Sequence, residues 1–215
     1  MKANRRNFLQ RVALGTGSLL TGFSTLAKVK KDESDQLSLA SYEYDQQRFN
    51  MCGYAAPKLN VVRIGVVGLG MRGSGAVERL SYIEGVEITA LCDKLPDRVS
   101  AAQKTLEKMG RPKAKEYSGE NGWKALCENN IVDLVYTPTP WDLHAPISLY
   151  AMKNGKHVAT EVNAGLTTDE CWQLVETSEK TKKHCMMLEN CCYGFFELLT
   201  LNMVRNGLFG ELVHA

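Results

Sequence analysis

Hydrophobic and polar positions along this chain alternate in blocks that predict strands and helices in turn. Residues 61–67 are largely apolar and β-branched, which is typical of a buried parallel strand. Apolar residues spaced for one helix face follow at 76–80. A second apolar run over 86–92 then predicts another strand, which Asp93 ends.

The same alternation continues towards the end of the chain. It predicts strands over 131–136, 156–162 and 184–190, and helices over 96–109, 123–129, from about 144, over 167–182 and over 195–205. Strands that alternate with helices indicate an α/β fold with a doubly wound parallel sheet, the Rossmann arrangement. We assign 61–193 to this domain and 28–60, polar and without clear periodicity, to a linker or arm.

The composition is that of an ordinary globular protein, with 44% hydrophobic and 23% charged residues. A net charge of +2 gives no reason to expect nucleic acid or an anionic membrane as a partner. No run is long and apolar enough to span a bilayer. The seven cysteines are odd in number and lack C-x-x-C spacing, which argues against a disulfide framework and against a metal site for zinc.

The first 27 residues are typical of an export signal. Asn4–Gln10 resembles the twin-arginine consensus, and an apolar segment diluted by Gly, Ser and Thr follows to about Ala27. A basic amphipathic helix would also carry paired arginines, but Phe8 and Leu9 together with the diluted segment favour export. We therefore expect twin-arginine export and a periplasmic location.

The first predicted strand runs into the pattern G-x-G-x-x-G. Gly68 permits a tight turn, Gly70 lets a pyrophosphate approach the backbone, and Gly73 lets the helix pack closely on the strand. The amides around Met71 and Arg72 would then point at phosphates from a helix N-terminus. A glycine-rich turn in another kind of α/β protein is the alternative. The strand before the pattern and the helix after it favour a dinucleotide site.

Asp93 bears on which dinucleotide is bound. A carboxylate at the end of the second strand accepts hydrogen bonds from ribose hydroxyls and repels a 2′-phosphate, which favours NAD over NADP. Lys94 could compensate for that repulsion, although a solvated lysine is the simpler interpretation. NAD is the predicted cofactor.

Chemistry on such a sheet lies at the carboxyl ends of its strands. Three clusters follow strands there: Trp141, Asp142, Leu143 and His144; Glu161, Val162 and Asn163; and Asn190, Cys191, Cys192 and Tyr193. Each could be plain loop or core, and a lone histidine at a helix start is more often structural than catalytic. Their convergence on one edge favours a site.

Longer motifs resemble a known family. GKHVATEVNAG after TPTPWDLHAP resembles the Gfo/Idh/MocA superfamily, which pairs an N-terminal dinucleotide domain with a C-terminal α/β domain. Typical dehydrogenases of that family carry Glu-Lys-Pro where this chain has Glu161, Val162 and Asn163. Valine has no ionisable group, so Val162 cannot do the acid–base work of that lysine.

One branch of the family matches this departure. The motifs GVVGLGMRGSGAVERL, ALCDKLPDRV, TPWDLH, EVNAG and MLENCCYGFFEL together resemble glycoside hydrolase family 109, which includes NAD-dependent α-N-acetylgalactosaminidases. The resemblance places Tyr193 near the sugar as a candidate catalytic residue. It implies NAD contacts at Met71, Arg72, Asp93, Trp141, Asp142, Leu143, His144, Glu161, Val162 and Asn190.

The family's chemistry would explain why a protein with a nicotinamide cofactor is exported. The resemblance implies oxidation of the sugar at C3, elimination at C1, addition of water and re-reduction by the same NAD. The cofactor is therefore recycled rather than consumed. The twin-arginine route carries folded proteins, so NAD could be loaded in the cytoplasm and carried out.

The resemblance also implies a second domain that shapes the glycoside site. We expect 194–215 to form a connecting helix and the start of that domain, with Leu212 and Val213 opening its first strand. The main catalytic residues, and any homo-oligomer interface, would then lie beyond Ala215. Two other functions stay open: a periplasmic sugar oxidoreductase, against which Val162 argues, and a non-catalytic sugar or nucleotide sensor.

Overall fold

A computed structural model describes residues 49–214. The predicted leader over 1–27 and most of the predicted arm lie outside these residues. Within 49–214, no helix is both long and apolar enough to cross a membrane. The elements in chain order are β1 (Val62–Val67), α1 (Met71–Ser81), β2 (Val86–Asp93), α2 (Pro96–Lys108), β3 (Lys115–Ser118), α3 (Gly122–Glu128), β4 (Leu134–Thr137), α4 (Trp141–Lys153), β5 (His157–Glu161), α5 (Thr168–Thr181), β6 (Cys185–Leu188), a 3₁₀ turn (Asn190–Tyr193) and α6 (Phe195–Arg205).

The six strands form one sheet in the order β3-β2-β1-β4-β5-β6, and every neighbouring pair is parallel. Helices make the crossovers between them, so the predicted doubly wound α/β fold is confirmed. The strand order reverses between β1 and β4. In a sheet of this kind, ligands bind at that reversal, beyond the carboxyl ends of the strands.

Helices cover both faces of the sheet and bury two apolar clusters. Successive side chains of a strand point to opposite faces. Val66 therefore joins the cluster that contains Val77 of α1 and Leu106 of α2, whereas Val67 joins the cluster that contains Ile147 of α4. All five side chains are almost fully buried. This packing fixes the strand ends that carry the candidate site.

One strand was not predicted from the sequence. β3 has the sequence KEYS, and three of its four residues are exposed. It is an edge strand that pairs only with β2. Apolar periodicity therefore gave no signal for it, because a short edge strand is often charged.

The start of α5 follows a local rule. Thr167 is the N-cap: its hydroxyl accepts the backbone N–H of Glu170, and the Glu170 carboxylate accepts the backbone N–H of Thr167. This capping box satisfies two donors that the helix leaves unpaired. The predicted helix over 167–182 is thus correct to within one residue at each end.

The end of the chain differs from the prediction. Residues 206–209 form a turn and 210–214 have no regular secondary structure, so Leu212 and Val213, which were predicted to open a strand, are exposed and lie in no strand. A strand needs a neighbouring strand to satisfy its backbone groups. Among the described residues, no seventh strand pairs with the sheet at this point.

Part of the predicted arm lies against the amino-terminal edge of the sheet, opposite the candidate site. The ring of Tyr54 lies 5.5 Å from that of His184, which in turn stacks on His157 at 5.4 Å. The ammonium group of Lys182 lies 5.0 Å from the ring centroid of Phe49. Aromatic and cation–π contacts therefore attach residues 49–54 to the domain.

Candidate functional site

The carboxyl edge of the sheet brings the predicted clusters onto one side of the molecule. Because all six strands are parallel, their last residues lie at the same edge. The glycine loop follows β1, Asp93 ends β2, Glu161 ends β5, and Asn190 and Tyr193 lie in the turn after β6. The residues from Trp141 to His144 form the first turn of α4, just after β4.

The glycine loop has the shape that a phosphate cradle requires. Gly68 has a φ of +97°, which favours glycine. A Cβ atom on Gly73 would lie 1.9 Å from the carbonyl oxygen of Gly68, so the loop and α1 can approach only without one. A Cβ on Gly70 would meet only the Arg98 guanidinium, at 3.7 Å. Gly70 therefore presents open backbone beside the exposed Met71, at the N-terminus of α1, where an anion is favoured.

Asp93 is buried and is bonded to that loop. One carboxylate oxygen accepts the backbone N–H of Leu69 at 2.7 Å, and the other accepts that of Leu95 at 2.9 Å. The nearby cation is Arg98, whose Nη1 lies 3.6 Å from Oδ2 of Asp93. Lys94, the cation considered from the sequence, instead pairs with Glu120 at 2.5 Å. Asp93 therefore fixes the glycine loop from the position where a ribose would be bound.

A second polar network joins α1, β4, β5 and the 3₁₀ turn after β6. Arg72 donates from Nε and Nη2 to the two oxygens of Glu161, at 2.9 and 3.1 Å. Its Nη2 also donates to Oδ1 of Asn190 at 3.0 Å. The hydroxyl of Tyr136 donates to Glu161 at 2.7 Å. Three of the predicted cofactor residues are thus held in one hydrogen-bonded group.

The charges in this network stabilise one protonation state. Burial acts to raise the pKa of Glu161, but the hydrogen bonds from Arg72 and Tyr136 and the charge of Arg72 outweigh it, so that this pKa is lowered. Burial, followed by the hydrogen bond to Glu161, raises the pKa of Tyr136. Glu161 is therefore an ionised acceptor and Tyr136 a neutral donor, which suits them to orienting groups rather than to moving protons.

A cavity of about 460 Å³ opens beside this network. Arg72, Glu161, Asn190 and Tyr193 line its polar side, and apolar residues of β1, α1 and β4 line much of the remainder. The Tyr193 side chain is largely exposed. The structure thus places the predicted sugar-facing residue and three predicted NAD residues around one space.

His144 has a structural environment. The residue is 1% exposed, and its ring nitrogens lie 2.7 Å from the carbonyl oxygen of Asn163 and 2.8 Å from that of Thr139. The ring therefore joins the loop after β4 to the loop after β5. His144 therefore has a structural role at this edge, and its predicted contact with NAD stays a prediction.

The remaining predicted residues lie nearer to solvent. At the start of α4, Trp141 and Asp142 are exposed and Leu143 is half-buried. Val162, after β5, is 38% exposed, and its peptide bond to Asn163 is cis. All of them lie at the edge where NAD is expected, and their individual contacts with it stay predictions.

Two residues of the site were missed in the sequence. Tyr136 lies inside a strand that was predicted from its apolar neighbours, so nothing local indicated a partner for its hydroxyl. Arg98 lies in the first turn of α2, and its approach to Asp93 depends on how that turn follows β2. A side chain with a hydroxyl near the carboxyl end of a buried strand is the signal that could have identified Tyr136.

The glycine loop, the acidic residue that ends β2 and the reversal of strand order define a dinucleotide-binding domain of the Rossmann class. A family model described as an oxidoreductase family with an NAD-binding Rossmann fold matches residues 62–189. The chain therefore belongs to the Gfo/Idh/MocA family, and NAD is the cofactor of this domain.

Relatives with known family names show which branch of this family the chain resembles. The chain is 50% identical over 199 residues to glycosyl hydrolase family 109 protein 1 of Bacteroides thetaiotaomicron, which covers 92% of this chain and 43% of that protein. It is 58% identical over 160 residues to a family 109 protein of Porphyromonas gingivalis, which covers 74% of this chain and 34% of that one. The resemblance to family 109 is thus confirmed. The chain spans less than half the length of these curated relatives.

A solved structure shares the fold. The 3-ketoreductase KijD10 of Actinomadura kijaniata, in complex with NADP and TDP-benzene, superposes with a TM-score of 0.60 at 25% identity. The match covers 71% of this chain and 44% of that one. A cofactor that carries a 2′-phosphate is thus bound by one relative of this fold.

Proposed function

We propose that this chain is the NAD-binding part of a glycosidase that hydrolyses α-N-acetylgalactosaminides with a recycled cofactor. The observation that carries the proposal is its 50% identity, over 92% of the chain, to a family 109 protein. A match of that extent takes in the site from Gly68 to Tyr193. This chain has Val162 at the position where typical dehydrogenases of the family carry a lysine, which supports a reaction other than simple dehydrogenation.

The residues at the carboxyl edge fit the cofactor. The open backbone at Gly70 and the amides that begin α1 would hold the pyrophosphate, and Asp93 would face the adenosine ribose. Bound there, NAD would supply the removal and return of a hydride at a sugar carbon. Arg72 and Glu161 would keep the end of β5 in place beneath it.

Tyr193 is the residue of this chain that we place nearest to the sugar. Its phenol is 64% exposed and lines the cavity beside Asn190. A hydroxyl in that position could donate a hydrogen bond to a sugar oxygen and orient the ring. Replacing Tyr193 with Phe should therefore raise KM or lower kcat for the glycoside without changing the affinity for NAD.

The test is an assay of the full-length protein with p-nitrophenyl α-N-acetylgalactosaminide and no added cofactor. We expect release of p-nitrophenol without accumulation of NADH, because each turnover returns the hydride. If the protein instead forms NADH when a free sugar is the substrate, and does not cleave the glycoside, it is a sugar oxidoreductase, the second candidate. The oxidoreductase description of the family favours that candidate. Binding of NAD without either reaction would contradict both and leave a sensor.

We also propose export by the twin-arginine route. The support is the pair Arg5 and Arg6 ahead of Phe8 and Leu9, together with a recycled cofactor that needs no supply outside the cytoplasm. Replacing both arginines with lysine should keep a fused reporter in the cytoplasm. Undiminished export of that variant would contradict the proposal.

A further inference from the structure

Arg98 lies at the adenosine end of the cofactor site. Its Nη1 is 3.6 Å from Oδ2 of Asp93, and the same nitrogen would lie 3.7 Å from a Cβ atom on Gly70. The guanidinium is therefore placed between the carboxylate that faces the ribose and the backbone that faces the pyrophosphate. Its side chain is 51% exposed, so part of its row of N–H donors faces the open side of the site.

The charge balance around Asp93 favours a role for Arg98 in cofactor choice. An unaccompanied carboxylate repels a 2′-phosphate, and this repulsion is the usual basis of NAD preference. Here both oxygens of Asp93 already accept backbone N–H groups, and a cation stands beside them. Guanidinium groups also bind phosphate through paired, charge-assisted hydrogen bonds.

We propose that Arg98 is a specificity-determining residue of the cofactor site, which contacts the adenosine ribose and weakens the discrimination that Asp93 imposes against a 2′-phosphate. The site then prefers NAD and still admits NADP. The proposal rests on the NAD-binding domain and not on the proposed glycosidase activity.

Lys94 supplies a matched control. It follows Asp93 in sequence and carries the same charge as Arg98. Its ammonium group, however, pairs with Glu120 at 2.5 Å, and its side chain is 68% exposed. Replacing either cation with Gln changes the net charge by the same amount, so the two variants separate local contact from long-range electrostatics.

The experiment measures dissociation constants for NAD and NADP by titration calorimetry on the purified protein. Arg98→Gln should weaken NADP binding about tenfold, the equivalent of one charge-assisted hydrogen bond, and NAD binding by less than about threefold. Lys94→Gln should leave the ratio of the two constants within about twofold of the wild-type ratio. Arg98→Lys, which keeps the charge and loses the planar fork, should fall between the wild type and Arg98→Gln.

Several results would overturn the proposal. These are an equal effect of Arg98→Gln on both cofactors, an effect of Lys94→Gln as large as that of Arg98→Gln, or a wild-type protein that binds NAD and shows no measurable binding of NADP. Circular dichroism should show that each variant is folded, and if Arg98→Gln does not fold, Arg98→Lys decides the question. Because the readout is binding, a failure here leaves the glycoside assay unaffected, and the reverse also holds.

Discussion

Two single-methyl substitutions in the glycine loop should separate its structural role from its role in binding. In Gly73→Ala, the new Cβ would lie 1.9 Å from the carbonyl oxygen of Gly68 and 2.9 Å from its carbonyl carbon. Both atoms belong to backbone that is held in place, because the neighbouring N–H of Leu69 is bonded to Asp93. The start of α1 would therefore have to withdraw by roughly 1 Å or more to restore an ordinary contact.

Gly73→Ala and Gly70→Ala should have different effects on the unfolding free energy of the domain. Overpacking typically costs about 1–3 kcal/mol, and the obstacle to a methyl at Gly73 is backbone, so we expect Gly73→Ala to lose about 3 kcal/mol of unfolding free energy. Displacing α1 should weaken NAD binding in the same variant. Gly70 has a φ of −66°, which other residues adopt, and its added methyl would meet only the end of the Arg98 side chain at 3.7 Å. Gly70→Ala should therefore keep its stability or gain up to about 1 kcal/mol, because the substitution restricts the unfolded chain.

Both substitutions should weaken NAD binding, although only Gly73→Ala should lower the unfolding free energy. In Gly70→Ala the methyl stands where the pyrophosphate approaches, so the affinity for NAD should fall by at least about tenfold although the fold is intact. Urea unfolding and calorimetric titration with NAD on the same preparations measure both quantities. Equal destabilisation by the two substitutions, or wild-type NAD affinity in Gly73→Ala, would refute this assignment of roles.

Three further predictions concern other parts of the domain. Thr167→Ala removes the cap of α5 and should lower the unfolding free energy by about 1 kcal/mol in urea unfolding; an unchanged value would mean that the capping box contributes nothing. Burial, with Lys183 and His184 adding to it, lowers the pKa of His157, so its stabilising contribution is present above the unfolded pKa of about 6.5 and is lost as the pH falls below that value. Unfolding free energies at about pH 7.5 and about pH 5.5 should show this decline, and His157→Asn should reduce it; an equal decline in the variant would exclude His157 as its source. Burial raises the pKa of both Cys92 and Cys127 to about 12, so neither thiol should react with a thiol reagent until the protein unfolds; rapid labelling of either one, located by mass spectrometry, would contradict their burial.

The geometry around His157 agrees with the direction of its pKa shift. The backbone N–H of His184 donates to Nδ1 of His157 at 3.0 Å, and a ring nitrogen can accept only when it carries no proton. The folded protein therefore holds His157 neutral, and the unfolded chain takes up the proton as the pH falls. Asn is a suitable replacement because its side-chain oxygen can also accept a hydrogen bond.

The sequence was sufficient to predict five of the six strands because their signals are local. The apolar run of β1, the glycine loop and Asp93 are close together in the chain, and each has one structural interpretation in that order. β3 was missed because its residues bury little side-chain surface and show no apolar period. The backbone hydrogen bonds that pair this strand with β2 do not require any particular residue type, so the sequence does not reveal them.

The candidate site was predictable in position but not in its contacts. Residues at the strand ends were identified because parallel strands share one carboxyl edge. Which of them touch depends on strand order. Arg72 follows β1 and Glu161 ends β5, and these strands are separated by β4, from which Tyr136 reaches Glu161. Contacts between residues so distant in sequence require the tertiary structure.

The ionisable groups at the carboxyl edge are largely occupied in holding loops, and this bears on what the chain can do. Asp93 holds Leu69, Glu161 holds Arg72, and the ring of His144 joins two loops. These residues are therefore suited to keeping a cofactor and the end of β5 in a constant geometry. The reaction that we propose needs such a constant position, because a hydride that is taken from a sugar and returned to it must cross the same face at the same distance.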